Sequence, residues 1–154
     1  MTRSLASIAH DHKKVDLVAW ATFNRHTLVR FELMGTRHTA RLLREKVGLE
    51  VEELLGGPNG GDAQIAARVV TGSVDAVFFF VDPQAAQPHD PDIRALLRVC
   101  NVHTVPLATN LGAADLVITA RAPYAEVREA SEATPDAGVS TDVGSDGRRR
   151  QMGT

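Results

Sequence analysis

The sequence predicts an α/β fold with a five-stranded, mainly parallel sheet flanked by helices. Short apolar runs alternate along the chain with segments of helical periodicity, which is typical of βαβ units. Most of the His, Asp, Lys, Thr and Asn residues that could bind a ligand or take part in catalysis directly follow those apolar runs. A length of 154 residues with 44% hydrophobic side chains is enough for one sizeable core.

The strands are expected at the short apolar runs, residues 5–9, 28–33, 51–54, 76–81 and 105–108. Glu alternates with apolar side chains in the third run, so an edge position suits that strand. Apolar faces at helical spacing lie between the runs, around Leu17, Leu43, Ile65 and Leu96, and a fifth helix is expected over residues 112–118. Gly48 and Gly72 are placed to end helices, and Asp90 to cap one that has Pro91 in its first turn.

Composition limits the partners and the compartment. A formal net charge of −2 argues against a nucleic-acid partner, because phosphate backbones require a surplus of Lys and Arg. The apolar runs are too short to span a membrane or to form a signal-peptide core. Cys100 is the sole cysteine, so a cytoplasmic protein with a reduced thiol is expected.

The composition changes near the C-terminus. Residues 131–147 contain four acidic residues and lack Leu, Ile and Phe, so they cannot bury enough apolar surface to offset chain entropy. We therefore expect one domain over residues 1–130 and a disordered tail over residues 131–154. Arg148, Arg149 and Arg150 could contact a phosphate or another subunit, although a solvated tail end is the simpler interpretation.

The polar residues are arranged on one predicted rim. In an open parallel sheet, ligands bind at the carboxyl ends of the strands. The residues after the five strands are His10-Asp11-His12-Lys13-Lys14, Gly35-Thr36, the segment 56–62, Asp82-Pro83 and Thr109-Asn110.

The glycine-rich loop of residues 56–61 leads into a helix and either cradles an anion or is a plain tight connection. It has neither the Lys-Ser/Thr ending of a P-loop nor a dinucleotide-binding spacing, so a small phosphate ester is the ligand that fits. Asp62 then serves either as a carboxylate favoured by the helix dipole or as a general base. His89 stands just outside the next long helix, flanked by carboxylates, and is a candidate for proton transfer.

A metal site built from His10, His12 and His89 is an alternative. Histidines near acidic residues are common ligands, but no HExxH motif or further cysteine supports the site. We expect no metal.

Five segments in a fixed order resemble the methylglyoxal synthase family: residues 9–14, 57–62, 79–83, 88–92 and 106–110. The resemblance covers roughly residues 5–120. It implies a Rossmann-like or flavodoxin-like three-layer sandwich, a cytoplasmic homohexamer without a cofactor, and elimination of phosphate from dihydroxyacetone phosphate to give methylglyoxal.

The resemblance also assigns roles to residues. Asp62 is implied to be the catalytic base, His89 a neutral contact to the substrate oxygens, and Asp92 a support for the base. Asp11 joins these catalytic residues. The implied substrate- and phosphate-binding residues are His10, Lys14, Gly35, Thr36, Thr39, Gly56 and Gly57.

Two departures from the family pattern concern the phosphate. The loop after strand 2 differs from the usual Thr-Gly-Thr-Thr-Gly, and the next helix keeps its register only if two residues are inserted near Arg37 and His38. Gly56 also stands where the family favours Ser. Either Arg37 compensates with a charge-assisted hydrogen bond, or the affinity for phosphate falls.

A non-catalytic, anion-sensing domain of the same fold is the second interpretation, similar to the regulatory domain at the end of carbamoyl phosphate synthetase. Such a domain needs an anion pocket but no proton-transfer residues. The combination of Asp62, His89 and Asp92 therefore favours an enzyme.

Overall fold

The computed structural model describes residues 2–121. Within them lie five strands, β1 Ser4–Ala9, β2 Glu32–Gly35, β3 Val51–Glu53, β4 Ala76–Phe80 and β5 Leu107–Ala108. All neighbouring strands are parallel, in the order β3-β2-β1-β4-β5. The α/β fold class and the edge position of the third strand are confirmed.

Six α-helices connect and cover the strands in the described range: α1 Lys14–Phe23, α2 Arg25–Leu28, α3 Arg37–Leu42, α4 Gly61–Val70, α5 Asp90–Val102 and α6 Leu111–Arg121. A π-helical segment, Leu43–Val47, continues α3, and single 3-10 turns occur at Asp11–Lys13 and Gly57–Asn59. None of the helices in this part of the chain is long and apolar enough to cross a membrane.

Helices cover both faces of the sheet, so successive side chains of its central strands, which point in opposite directions, enter two different cores. In β4, Phe78 and Phe80 enter one core and Phe79 enters the other. The first core also contains Leu17 of α1 and Ile118 of α6. The second contains residues of α4 and α5, so the sheet is the middle of three layers.

Trp20 joins α1 to both the sheet and α6. Its ring makes edge contacts with Phe78 and Phe80, with centroids 5.2 and 5.9 Å away. The indole Nε1–H donates to Asp115 Oδ1 of α6 at 2.7 Å, so the one polar atom of this buried side chain is satisfied. Trp20 is therefore a core residue.

The second strand and one helix start differ from the sequence prediction. Residues 28–31 do not begin a strand: the N–H of Leu28 donates to Asn24 O and that of Phe31 to Leu28 O, so the chain turns there before β2 begins at Glu32. Leu28 and Phe31 are buried, and burial alone does not distinguish a turn from a strand. The cap of α5 is His89 rather than Asp90.

Other local predictions match the structure. Gly48 and Gly72 have φ values of 73° and 75°, as expected for left-handed residues that end helices. The fifth predicted helix is present as α6 and is longer than residues 112–118. The predicted tail, residues 131–154, lies outside the described residues.

We predict that Gly61→Ala destabilises the fold. A Cβ at this position would lie 2.0 Å from the carbonyl oxygen of Leu55 and 2.9 Å from Thr36 Cγ2, so α4 would have to move away from the β3 loop. Such overpacking costs about 1–3 kcal/mol, and the melting temperature should fall. Gly56→Ala is the matched control, since its Cβ would meet only Asn59 Nδ2 at 3.9 Å; equal melting temperatures for the two variants would contradict the prediction.

Candidate active site

The segments that follow β1, β2, β3 and β4 line one cavity of about 410 Å³. It lies at the predicted rim, where the carboxyl ends of parallel strands meet. Residues after the fifth strand do not line it. Asn110 instead caps α6, because its Oδ1 accepts a hydrogen bond from the N–H of Ala113 at 3.0 Å.

His10 directly follows β1, and one of its ring nitrogens is engaged while the other has no partner in the described chain. The main-chain N–H of Asp82 donates to His10 Nδ1 at 2.9 Å, so the proton of the neutral ring is assigned to Nε2. Nε2 is buried and has no hydrogen-bond partner in residues 2–121. Burial, reinforced by nearby His89, lowers the pKa of His10, so the ring is neutral near pH 7.

Asp82 connects the ends of β1 and β4. Its Oδ1 accepts from the N–H of Gln84 at 3.0 Å, and its Oδ2 lies 3.0 Å from His12 Nδ1. The hydrogen bond from Gln84, with a smaller contribution from His12, lowers the pKa of Asp82. The sequence places Asp82 on the rim without assigning it a role; its position directly after β4 was the available clue.

Asp62, in the first turn of α4, is a fully buried carboxylate beside His89. His89 Nε2 lies 3.3 Å from Asp62 Oδ2, within ion-pair range. The approach lacks hydrogen-bond geometry, and within the described chain neither Asp62 oxygen nor His89 Nδ1 has a hydrogen-bond partner. Unsatisfied buried polar atoms cost stability, so their concentration here points to a functional site.

The environment makes Asp62 a stronger proton acceptor than an exposed aspartate. Burial raises the pKa of Asp62, His89 opposes that shift, and the charge of Asp92 adds to it. Asp92 is half-buried in the first turn of α5 and does not line the cavity. In this structure Asp92 therefore influences Asp62 electrostatically.

Gly57 lies between a cavity-lining loop and two polar side chains. Gly57 lines the cavity, whereas Asp62 does not. A Cβ at position 57 would lie 2.8 Å from His89 Nε2 and 3.5 Å from Asp62 Oδ1. The missing side chain leaves space next to both polar groups.

Lys14 and Asp11 form an ion pair at the mouth of the cavity. The hydrogen bond from Lys14 lowers the pKa of Asp11, and 88% of the Asp11 side chain is exposed. Lys14 and Asp11, both predicted site residues, line the cavity. Asp11 is exposed to solvent, whereas Asp62 is fully buried.

The segment after β2 contains two buried threonines, of which one lines the cavity. Thr36 lines the cavity, and its hydroxyl donates to Thr39 Oγ1 at 3.3 Å. Thr39 also accepts from the N–H of Ala9 at 3.3 Å and does not line the cavity. Gly35 likewise lies outside the lining, and a Cβ there would come within 2.9 Å of Ser7 O, so it allows β2 to approach β1 closely.

The two residues that the sequence comparison treats as inserted near Arg37 and His38 do not form a separate loop, because they belong to the first turn of α3. Thr36 is extended, and α3 begins at Arg37, which lines the cavity together with His38. Gly56 forms the adjacent wall with φ −62°. The sequence suggested Arg37 as a compensating phosphate contact and His38 only as part of the departure; the structure places both in the cavity wall.

Of the three histidines considered as metal ligands, His10 uses one nitrogen for a main-chain amide and His12 pairs with Asp82. In the part of the chain that the structure describes, no group of three or more His, Cys, Asp or Glu residues is arranged to hold a metal ion.

Comparisons with known proteins identify a family and relatives for this chain. A family model described as the MGS-like domain matches residues 16–109. A methylglyoxal synthase of Thermus thermophilus is 53% identical over 116 residues, which cover 75% of this chain and 92% of the relative. One from Clostridium botulinum is 49% identical over 114 residues, covering 74% of this chain and 96% of the relative.

A solved structure gives the same result. The crystal structure of methylglyoxal synthase from Elizabethkingia anophelis matches with a TM-score of 0.72 and 39% sequence identity, covering 76% of this chain and 77% of that chain. The sequence resemblance is confirmed by the family model, the relatives and the fold, and the chain belongs to the methylglyoxal synthase family.

Proposed function

We propose that this chain eliminates phosphate from dihydroxyacetone phosphate to give methylglyoxal, with Asp62 as the catalytic base. The observation that carries the proposal is the fully buried Asp62 carboxylate, whose oxygens lack hydrogen-bond partners in the described chain and lie next to Gly57, a glycine that lines the cavity. Burial raises the pKa of Asp62 toward neutrality, where a carboxylate is a more effective general base. Asp92 supports this shift.

The reaction begins with transfer of a proton from the hydroxymethyl carbon to Asp62, which moves the bonding electrons toward the carbonyl oxygen and forms an enediolate. The hydroxyl of the former hydroxymethyl carbon then loses its proton to the departing phosphate and becomes the aldehyde carbonyl, while the double bond shifts toward the terminal carbon and phosphate leaves with the electrons of its carbon–oxygen bond. The resulting enolate takes up the proton held by Asp62 at the terminal carbon and becomes methylglyoxal. Elimination requires the breaking bond to stand perpendicular to the enediolate plane, so the phosphate must be held in a fixed orientation.

Imidazole N–H donors suit the developing negative charge. His10 Nε2–H is a donor whose orientation is set by the main chain of Asp82, and His89 lies on the same cavity with ring centroids 6.3 Å apart. Donors fixed before the reaction stabilise an oxyanion without reorganising during it. We assign His10 and His89 to the two substrate oxygens.

The phosphate is assigned to other residues that line the cavity: Lys14, Thr36, Gly56 and Gly57. They offer ammonium, hydroxyl and main-chain donors. Gly35 and Thr39 belong to the same phosphate-binding segment, and their contacts with β1 support a positioning role. Asp11 is assigned to orienting Lys14 through their ion pair.

The working assembly is proposed to be a cytoplasmic homohexamer. Large apolar side chains are exposed on α1 and α6, where Val15, Phe23 and Leu116 are 78%, 82% and 75% exposed in the isolated chain. Contact with other copies would remove this apolar surface from water.

We predict that Asp62→Asn lowers kcat by about 10²–10⁴ with little change in KM, because the amide keeps the shape but accepts no proton. Release of methylglyoxal and phosphate is measured together with exchange of the hydroxymethyl hydrogen into deuterated water. Asp90→Asn is the control, since Asp90 is half exposed and pairs with Arg94 away from the cavity. Near-normal turnover by Asp62→Asn would exclude Asp62 as the base. Substrate binding by the unmodified chain without exchange or phosphate release would instead favour an anion-sensing domain.

A second prediction concerns Gly57→Ala, which adds a methyl group 2.8 Å from His89 Nε2. The methyl should displace His89 and obstruct the approach to Asp62, lowering kcat by about tenfold or more, as a misplacement of about 1 Å does elsewhere. Steady-state kinetics and the melting temperature are compared with those of Gly56→Ala. An unchanged kcat would show that substrate does not reach Asp62 past Gly57.

The third prediction concerns the division into a catalytic domain, residues 1–130, and a tail, residues 131–154. Removing the tail should leave the melting temperature and the oligomer size nearly unchanged, because the tail composition lacks core-forming side chains. Calorimetry and light scattering measure the two properties. A large drop in melting temperature or a smaller assembly would show that the tail packs on the domain or on a neighbouring subunit.

A further inference from the structure

Three arginines share one carboxylate beside the cavity. Arg41 donates from Nε and Nη2 to the two oxygens of Glu53 at 3.2 and 3.1 Å, and Arg44 Nη2 donates to Oε2 at 2.5 Å. Arg37 Nε is 3.5 Å from Oε1, within ion-pair range but without a hydrogen bond. One negative charge thus faces three positive charges.

Arg37 is the member of this cluster that lines the cavity. Its main-chain N–H lies 3.4 Å from the carbonyl oxygen of Leu55, which places the residue beside the loop that contains Gly56. The side chain is 39% exposed, but its Nε is buried and has no hydrogen-bond partner in residues 2–121. A partly exposed guanidinium at a cavity wall is suited to an anionic ligand.

The other cation at the cavity is already paired. Lys14 binds the carboxylate of Asp11 through an ion pair and a hydrogen bond. Glu53, by contrast, is engaged by Arg41 and Arg44 and leaves the charge of Arg37 only partly balanced. Of Lys14 and Arg37, which both line the cavity, Arg37 is therefore the one with the less balanced positive charge.

We propose that Arg37 is a phosphate-binding residue that determines the specificity of this site for a dianionic phosphate ester. The identity of the ester rests on the proposed function, whereas the anion contact rests on the arginine cluster. A guanidinium presents a rigid fork of N–H donors that matches two phosphate oxygens, and its charge does not depend on pH in the working range. Arg37 thereby supplies a donor on the wall where Gly56 has no side chain.

The decisive comparison is between Arg37→Gln and Arg41→Gln. Both substitutions remove one positive charge from α3 beside Glu53, but only Arg37 lines the cavity. Binding of inorganic phosphate is measured by titration calorimetry at fixed ionic strength, and KM and kcat are measured with dihydroxyacetone phosphate.

For Arg37→Gln we expect the phosphate Kd and the KM to rise about ten- to a hundredfold, the loss of one charge-assisted hydrogen bond. Arg41→Gln should change either constant less than about threefold, as expected for a screened charge. Arg37→Lys should lie between, because it keeps the charge and loses the fork. Similar losses of phosphate affinity in Arg37→Gln and Arg41→Gln would show that the net positive charge of the region matters and not a contact from Arg37. An unchanged Kd in Arg37→Gln would also overturn the proposal.

A side chain fits at the neighbouring glycine, which provides a rescue experiment. Gly56 has φ −62°, and a Cβ there would meet only Asn59 Nδ2 at 3.9 Å. Gly56→Ser adds a hydroxyl donor to the same wall, so it should restore part of the phosphate affinity of Arg37→Gln, whereas Gly56→Ala should not. Rescue by alanine as well as by serine would show that the affected property is loop rigidity rather than a lost donor.

The two proposals fail differently. If the unmodified chain binds phosphate in an Arg37-dependent manner but forms no methylglyoxal, the proposed reaction is wrong and the anion site stands. If methylglyoxal forms normally and Arg37→Gln changes neither Kd nor KM, the reaction stands and Arg37 is only a structural partner of Glu53. If Arg37→Gln does not fold, Arg37→Lys is compared with Arg41→Gln in its place, and a single melting transition shows that the lysine variant is folded.

Discussion

The burial of Asp62 depends on the close approach of α4 to the loop that follows β3. The first residue of α4 is Gly61, and its backbone lies so near Leu55 O that any side chain there would overlap it. This contact brings the first turn of α4 under the loop of Gly56 and Gly57, which removes the next residue, Asp62, from water. Burial and the position next to His89 are thus two results of one backbone contact.

A buried carboxylate without hydrogen-bond donors is expensive, and the rest of the domain must offset that cost. The sheet does so by burying both of its faces, with the aromatic residues of β4 divided between two cores. Parallel strands also direct their carboxyl ends to one edge, so the polar groups gather there while the apolar mass lies behind them. The same architecture therefore provides both the stability and the reactive environment.

The sequence was informative about elements and their order because those depend on local periodicity. It failed at residues 28–31, where buried Leu28 and Phe31 belong to a turn and the apolar pattern fits either structure. At the site, the positions of Asp62, His89 and the glycine-rich loop followed from motifs. The hydrogen bond from Asp82 to His10, the threonine pair and the position of Arg37 did not, because they join segments that are distant along the chain or depend on side-chain direction.

The tautomer of His10 has an unusual tolerance to mutation because a main-chain amide sets it. A histidine oriented by a carboxylate loses its orientation when that one residue is replaced, but every amino acid except proline brings the same N–H to position 82. Replacing the carboxylate of Asp82 therefore removes its contacts to His12 and Gln84 but keeps the N–H that decides which ring nitrogen of His10 carries the proton. The location of this proton depends on the backbone path between β1 and β4 more than on the identity of a neighbouring side chain.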